Sequence, residues 1–322
     1  MNKFVLTIGT GKKLYVALAA NLARSFLYWN KGSDIVFQLV TDQPELVPAD
    51  VYNKIQVTAI KPGEFGLGFS PKLHLDKLVS EGQTLFIDSD CLVYGDLKPV
   101  FEKFKGHDVA VVGNYIATGD WFGNVGAVCE KFSISHLPKF NGGIYYLEKG
   151  DKASKVYQMA RQLEPQYDDI GFIRLRGRPN DELLMSLAME LNQQKPVADD
   201  GSILAEFVNF SAIKSDLLKG IAELYNDPND PGYQKNWHLD MARPVVVHFL
   251  GHHNQVMPYV KEMKQLKYLF ANGWTEKMAR LATFLRVTVP AVTFLYLKNI
   301  FRPVYHLIFG VRAIRKSERI VD

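Results

Sequence analysis

A chain of 322 residues that is 47% hydrophobic and 22% charged can bury a large core and is too apolar to be disordered. With only two cysteines, Cys91 and Cys129, it excludes a disulfide scaffold and fits a reducing compartment. The net charge of +4 is unevenly spread: residues 277–322 hold nine Lys/Arg against two Asp/Glu, so a mildly acidic body precedes a basic tail.

The N-terminal MNKFVLTIGTGKK lacks the apolar stretch of a signal peptide and reads as a first strand over residues 3–8. Tyr15, Leu18, Ala19, Leu22 and Phe26 then recur at spacings of three and four, the period of an amphipathic helix. Apolar runs at 34–40 and 55–60 predict a second and third strand. A Gly- and Pro-containing loop at 61–69 leads to a helix beginning near Lys72. LFIDSDCLV (85–93) predicts a fourth strand, buried on both faces and ending abruptly in Asp88 and Asp90. Runs at 108–112 and 143–147 predict a fifth and sixth. This alternation indicates an α/β fold with a largely parallel sheet, the first four strands forming a nucleotide-binding half. Residues 114–139 read as a loop near a ligand or an irregular surface excursion, with Trp121 in it assigned to core packing ahead of sugar stacking. Residues 199–236 are similarly mixed and turn-rich.

Ligand sites in parallel sheets open at the carboxyl ends of strands. Asp88 and Asp90 at such an end would repel each other, and a hard divalent cation shared with substrate phosphates resolves the repulsion. A plain Asp-Ser-Asp turn is the competing reading. Cys91 beside the pair reads as a buried core residue. Lys72, at a helix start just upstream, offers an ammonium group to a phosphate. FNGGIYYL (140–147) brings Asn141 and two glycines, Gly142 and Gly143, that permit close backbone approach. NDELLMSL (180–187) puts Asp181 and Glu182 in the first turn of a helix. VVVHFLG (245–251) ends a buried strand in His248, a ready Mn²⁺ ligand.

Together, and in this order, these segments resemble the retaining GT-A glycosyltransferases that include glycogenin and bacterial lipopolysaccharide galactosyltransferases. The resemblance spans about residues 3–255. It sets the first strand with Thr7 and Tyr15 beside the family's base-binding segment and SPKLHL beside its Thr-Lys-Leu-His. LFIDSDCLVYGDL parallels its Asp-x-Asp strand, FNGGIYYL its Phe-Asn-Ser/Ala-Gly strand, NDELLMSL its Asp-Gln helix, and VVHFLG its metal-ligand strand. What it implies is a Rossmann-like mixed, largely parallel sheet flanked by helices, and a nucleotide-sugar donor, most often UDP-linked. The donor would bind through Mn²⁺ or Mg²⁺ held by Asp88, Asp90 and His248. Thr7, Tyr15, Lys72, Asp88, Ser89, Asn141, Gly142, Gly143 and Gly251 would contact the donor, and Asp181 and Glu182 would be catalytic. The acceptor would be a saccharide or glycolipid, with retention by same-face attack or double displacement.

Two departures stand out. Gly251 is followed by His252, His253, Asn254, Gln255 and Val256, where the family has Gly-x-x-Lys-Pro-Trp; His252, His253 or Lys261 are the available substitutes. Glu182 replaces the family's Gln, as a nucleophile near the anomeric carbon or as an acid complementing the helix dipole.

The chain divides into a transferase domain, 1–255, and a helical, basic and apolar extension, 256–322. Residues 281–297 are apolar but short for a bilayer span. The following stretch mixes aromatic and aliphatic residues with Arg302, Arg312, Arg315, Lys316 and Arg319, as an interfacial segment does. A cytoplasmic enzyme peripheral to the inner face of a membrane follows, with packing onto the body as the competing reading. Nucleic acid is a poor fit because long apolar stretches interrupt the basic residues. Two rivals remain open. A haloacid-dehalogenase-like phosphatase also carries Asp-x-Asp, but with Thr or Val where Leu92 stands; a degenerate transferase would bind the sugar nucleotide without turnover.

Overall fold

The computed structural model describes residues 2–79 and 81–311. Its strands are β1 (Lys3–Ile8), β2 (Ile35–Thr41), β3 (Gln56–Ala59), β4 (Gln83–Ile87), β5 (Cys91–Val93), β6 (Val109–Ala110), β7 (Ile144–Glu148), β8 (Leu204–Glu206) and β9 (Val246–His248), with short strands elsewhere. The six-stranded main sheet runs β3-β2-β1-β4-β7-β6. β1 pairs in parallel with β2 and β4, and β2 with β3. β7 runs antiparallel to both β4 and β6. The α/β class with a largely parallel sheet is therefore as the sequence predicts, and the direction of β7 is what periodicity could not supply.

Side chains on a strand alternate between faces, and the core follows that alternation. Val5, Leu85, Ile87 and Tyr146 share one cluster with Ala19 and Ala23 of helix α1 (Lys13–Trp29). Leu6, Phe86 and Tyr145 face the other way, onto Leu183, Leu184 and Leu187 of α2 (Asp181–Leu191). Burying each such side chain stabilises by roughly 1.5–3 kcal/mol, which fixes the register of Leu85-Phe86-Ile87. One further step of the alternation carries Asp88 to the Phe86 face, where α2 begins.

Two expectations change. The segment around Lys72 is a 3₁₀ turn over Ser70–His74 with Pro71 in its first turn, followed by a single helical turn, Leu75–Leu78. Residues 114–139 are ordered as a strand pair, Gly113–Ile116 against Leu137–Phe140, enclosing a helix, Val125–Phe132, capped by Asn124. Elements this short give too few repeats to register as periodicity. Trp121 packs its ring 6.1 Å from that of Phe140, within the core.

A smaller sheet, β8-β9-β5, rests on the main one; β9 is parallel to β8 and antiparallel to β5. Helix α3 (Tyr259–Phe270) packs on α1, where the Tyr259 hydroxyl accepts from Asn21 Nδ2 at 3.2 Å. Helix α4 (Glu276–Phe309) then runs for 34 residues through a π-helical stretch at Phe284–Thr288. Arg280 ties its first turns to Asp216 with bonds of 2.8 and 2.9 Å. Beyond them Leu281, Phe284, Leu285, Phe294 and Phe301 are exposed. The apolar stretch thus continues past residue 297 and is long enough to cross a membrane by length and composition. Arg312, Arg315, Lys316 and Arg319 lie outside the described residues.

Candidate active site

The antiparallel direction of β7 builds the site. It sets the start of β7 beside the end of β4, with Ile144 opposite Ile87, and the Asp88 N–H donates to Gly143 O at 2.9 Å. The antiparallel β9–β5 pair does the same for the other carboxylate: His248 lies opposite Cys91, and the Phe249 N–H donates to Asp90 O at 3.1 Å. Three segments far apart in sequence therefore converge at Asp88, Asp90, Asn141 and His248.

His248 is buried, and the bonds of its two ring nitrogens define its role. Nδ1 lies 2.8 Å from Asn141 Oδ1, which also accepts the Gly143 N–H at 2.9 Å. An amide oxygen only accepts, so Nδ1 carries a proton and donates it. Nε2 then faces the carboxylates, 2.8 Å from Asp90 and 4.0 Å from Asp88. Burial works against a charge on this ring, but Asp90 and then Asp88 outweigh it and raise its pKa. Two carboxylates and an imidazole nitrogen held in orientation by an amide are a donor set that would suit a hard divalent cation, with Nε2 free of its proton. The Cys91 thiol lies in the same group, its sulfur with the Asp90 and His248 donor atoms within 4.8 Å of one another. Burial pushes that thiol well above its ordinary pKa, so it stays protonated and is a poor ligand for a hard cation.

Lys72 stands on the α2 side. Its ammonium donates to Asp88 at 2.7 Å and Gly142 O at 3.0 Å, and lies 3.8 Å from Asp181. Burial disfavours its charge, yet Asp181 and Asp88 more than restore it and raise its pKa. Asp88 is likewise held below the ordinary carboxylate range by Lys72 and then His248, against burial. Lys72 thus spends its donors inside the protein and fixes Asp88, Gly142 and Asp181 relative to one another. At the start of α2, Asn180 caps the helix by accepting the Glu182 N–H at 3.1 Å. The Asp181 carboxylate accepts from the Tyr145 hydroxyl at 2.5 Å, and Glu182 accepts the Gly142 N–H at 2.8 Å. Burial, then Asp181, pushes Glu182 up to about 7.

The remaining predicted donor contacts differ in accessibility. Thr7 is wholly buried in β1, and its hydroxyl has no hydrogen-bond partner among the described residues. Ser89 is 5% exposed and gives its N–H to Asp88 Oδ1 at 3.1 Å. Tyr15 is partly exposed at the start of α1, its phenol raised mainly by burial and influenced by Asp90 and Asp88. Gly251, at φ 59°, opens the 3₁₀ turn Gly251–Gln255 just after β9.

Among solved structures, the galactosyltransferase LgtC in complex with donor and acceptor sugar analogues superimposes with a TM-score of 0.50 at 13% identity, covering 77% of this chain and 87% of LgtC. A structure of an active-site Gln-to-Glu mutant of LgtC gives 0.51 at 13% identity, covering 82% and 94%. No family model matches the sequence, and no curated protein does. The chain has the GT-A glycosyltransferase fold.

In this GT-A chain, Tyr145 and Glu206 are among the functional candidates that escaped the sequence reading. Tyr145, two residues after Gly143, holds Asp181. Glu206 ends β8 in register with His248, and Asn209 donates to its carboxylate. A carboxylate closing a short apolar strand, ILAEF, was the available signal, the same one that marked Asp88. Burial pushes Glu206 from the ordinary 4.5 up to about 7. A raised carboxyl destabilises the fold as pH rises: between about 4.5 and 7 the unfolded chain sheds a proton that the folded chain keeps. Glu206→Gln, measured in chelator, is therefore expected to melt at the parent's temperature near pH 4 and above it at pH 8. The gain is at most about 3 kcal/mol. A melting difference independent of pH would contradict the assignment.

Proposed function

We propose that this chain is a metal-dependent, retaining glycosyltransferase. It moves a sugar from a nucleotide-sugar, with a uridine carrier favoured, to a saccharide or glycolipid acceptor in surface polysaccharide or lipopolysaccharide synthesis. The observation that carries the reading is the convergence of Asp88, Asp90 and an oriented His248 Nε2 beside Asn141, Asp181 and Glu182 within a GT-A fold.

Asp88, Asp90 and His248 would hold a divalent cation, which would supply positive charge to balance the departing diphosphate. The chain's own residues do the rest. Asn141 keeps the His248 tautomer, and Lys72 keeps Asp88 ionised and aimed. Asp181, anchored by Tyr145, and Glu182, anchored by Gly142, present carboxylates to sugar hydroxyls. Glu182 accepts the Gly142 N–H in the capped first turn of α2, and this fixed placement supports same-face substitution with Glu182 as a positioning group. Glu182→Gln is expected to keep turnover within about tenfold of the parent, since an amide still binds hydroxyls. A loss of a thousandfold or more, with Km unchanged, would instead make Glu182 the nucleophile.

The test of the activity itself is donor hydrolysis across UDP-, GDP-, CDP- and ADP-sugars with Mn²⁺. Turnover of one donor that stops with chelator supports the reading. Binding without turnover in every case would favour the degenerate transferase.

Helix α4 supports attachment of the chain to the inner face of a membrane, with its exposed apolar residues in lipid and its cations at anionic headgroups. A chain ending at Leu285 keeps the Arg280–Asp216 contact. It is expected to hydrolyse donor normally but to stop sedimenting with anionic vesicles that the full chain binds. Vesicle binding by the shortened chain would overturn the assignment.

A further inference from the structure

A diphosphate entering this site meets the carboxylates of Asp88, Asp90, Asp181, Glu182 and Glu206, so its binding requires cations that are not already spent. Lys72 is committed to Asp88, Gly142 and Asp181. Lys261 donates to Ser215 O at 2.7 Å and pairs with Glu262 at 2.9 Å. His253 is pushed down to about 4 by burial and then by His252, so it is neutral. Arg174 is paired with Asp168 at 2.7 Å.

Arg176 and Arg178 are different. Both are exposed, and neither has a carboxylate partner among the described residues. They lie on a two-residue hairpin closed by Leu175 and Arg178, each N–H donating to the other's carbonyl at 2.9 and 3.0 Å. The central residues, Arg176 at φ 54° and Gly177 at φ 73°, both have positive φ, the type I′ pattern that Asn-Gly normally fills. Holding an arginine there is strained, and its side chain makes no hydrogen bond or ion pair among the described residues that would offset it.

The hairpin is tied to the site on two sides. Asn180, the cap of α2, follows Arg178 by two residues, so the hairpin leads directly into Asp181 and Glu182. Arg178 also lies across Gly68 of the loop before Lys72; a Cβ on Gly68 would stand 2.6 Å from Arg178 Cδ. The Tyr15 phenol is influenced by Arg176 and Arg178 as well as by Asp90 and Asp88, in keeping with these two ties.

We propose that Arg176 and Arg178 clamp the diphosphate of the nucleotide-sugar donor, a role that rests on the glycosyltransferase reading. Guanidinium groups suit it because they bind phosphate oxygens with paired, charge-assisted hydrogen bonds. The test uses the full chain and measures affinity for UDP, GDP, CDP and ADP by titration calorimetry, and for the matching nucleoside by ligand-observed NMR, with Mn²⁺ and with chelator. The variant is Arg176→Gly with Arg178→Ala, glycine being at ease at the φ of residue 176. The best nucleoside diphosphate is expected to bind the variant at least about thirtyfold more weakly in both conditions, with nucleoside affinity unchanged. Lysine at both positions is expected to recover only part of the loss. Unchanged diphosphate affinity would overturn the clamp alone, as would an equal loss of nucleoside affinity, which marks a structural defect. Failure of the parent chain to bind any nucleoside diphosphate would instead remove the glycosyltransferase reading and the clamp with it.

Discussion

Asp90→Ala is expected to reduce donor turnover by about a thousandfold or more, the scale at which removal of a charge-stabilising group acts on a transition state. The Asp90 carboxylate faces His248 Nε2 at 2.8 Å, with Asp88 at 4.0 Å. Deleting it leaves one carboxylate and an imidazole that has lost its main counter-charge. Cation affinity falls because the donor set shrinks from three groups to two, and the ring loses the partner that most raises its pKa. The fold is expected to survive, since the Asp90 side chain is 18% exposed and its backbone carbonyl still accepts the Phe249 N–H. Chelator added to the parent chain is expected to reproduce the loss, and added Mn²⁺ to reverse it in the parent but not in the variant. Mn²⁺-titrated donor hydrolysis checks both. A variant with more than a tenth of parental turnover would remove Asp90 from the ligand set.

Gly143→Ala is the second large effect, and it acts through geometry with no change of charge. A Cβ at residue 143 would stand 2.6 Å from His248 Nδ1 and 3.0 Å from Asn141 Oδ1. Neither neighbour can retreat easily: His248 is buried on β9, and Asn141 accepts the Gly143 N–H itself. The Asn141–His248 bond is expected to break, which frees the ring to rotate or change tautomer. Loss of such an orienting partner typically costs about 10- to 100-fold in metal affinity. Gly142 gives the internal comparison, because its Cβ would meet Asp181 Oδ2 at 3.0 Å and the Tyr145 hydroxyl at 3.2 Å. Gly142→Ala is therefore expected to weaken Mn²⁺ binding less than Gly143→Ala and to disturb the Asp181 side instead. Calorimetric titration of Mn²⁺ into both variants, beside melting curves, separates them; equal Mn²⁺ affinity in the two would contradict the packing argument.

How much of this was legible in advance depends on the distance over which each interaction acts. The buried run Leu85-Phe86-Ile87 and its acidic end were visible because burial on both faces and an abrupt polarity change are local properties. The direction of β7 was not, because pairing depends on partners some sixty residues away in sequence: Ile87 meets Ile144. That direction matters most for the site, since it sets Asn141 and Gly143 beside Asp88. The sequence order of the motifs marked Asn141, Asp181 and His248 without it, but not the Asn141–His248 bond. Lys72 was legible as a cation near the acidic pair; its commitment to Asp88, Gly142 and Asp181 required the folded positions of β7 and α2. Arg176 and Arg178 escaped notice because a basic loop residue is ordinarily a solvated one. Only the absence of carboxylate partners among the described residues and the positive φ of Arg176 set them apart.

The central claim is that Asp88, Asp90 and His248 form one cation site that serves a nucleotide-sugar donor. Its most direct test is Mn²⁺ binding followed by electron paramagnetic resonance in the presence of the nucleoside diphosphate that binds best, on the parent chain and on His248→Ala. One saturable Mn²⁺ per parent chain is expected, tightened by the nucleotide, with a loss of at least about tenfold in affinity in the variant. Mn²⁺ binding that is unsaturable in the parent, or equally tight after removal of His248, would contradict it.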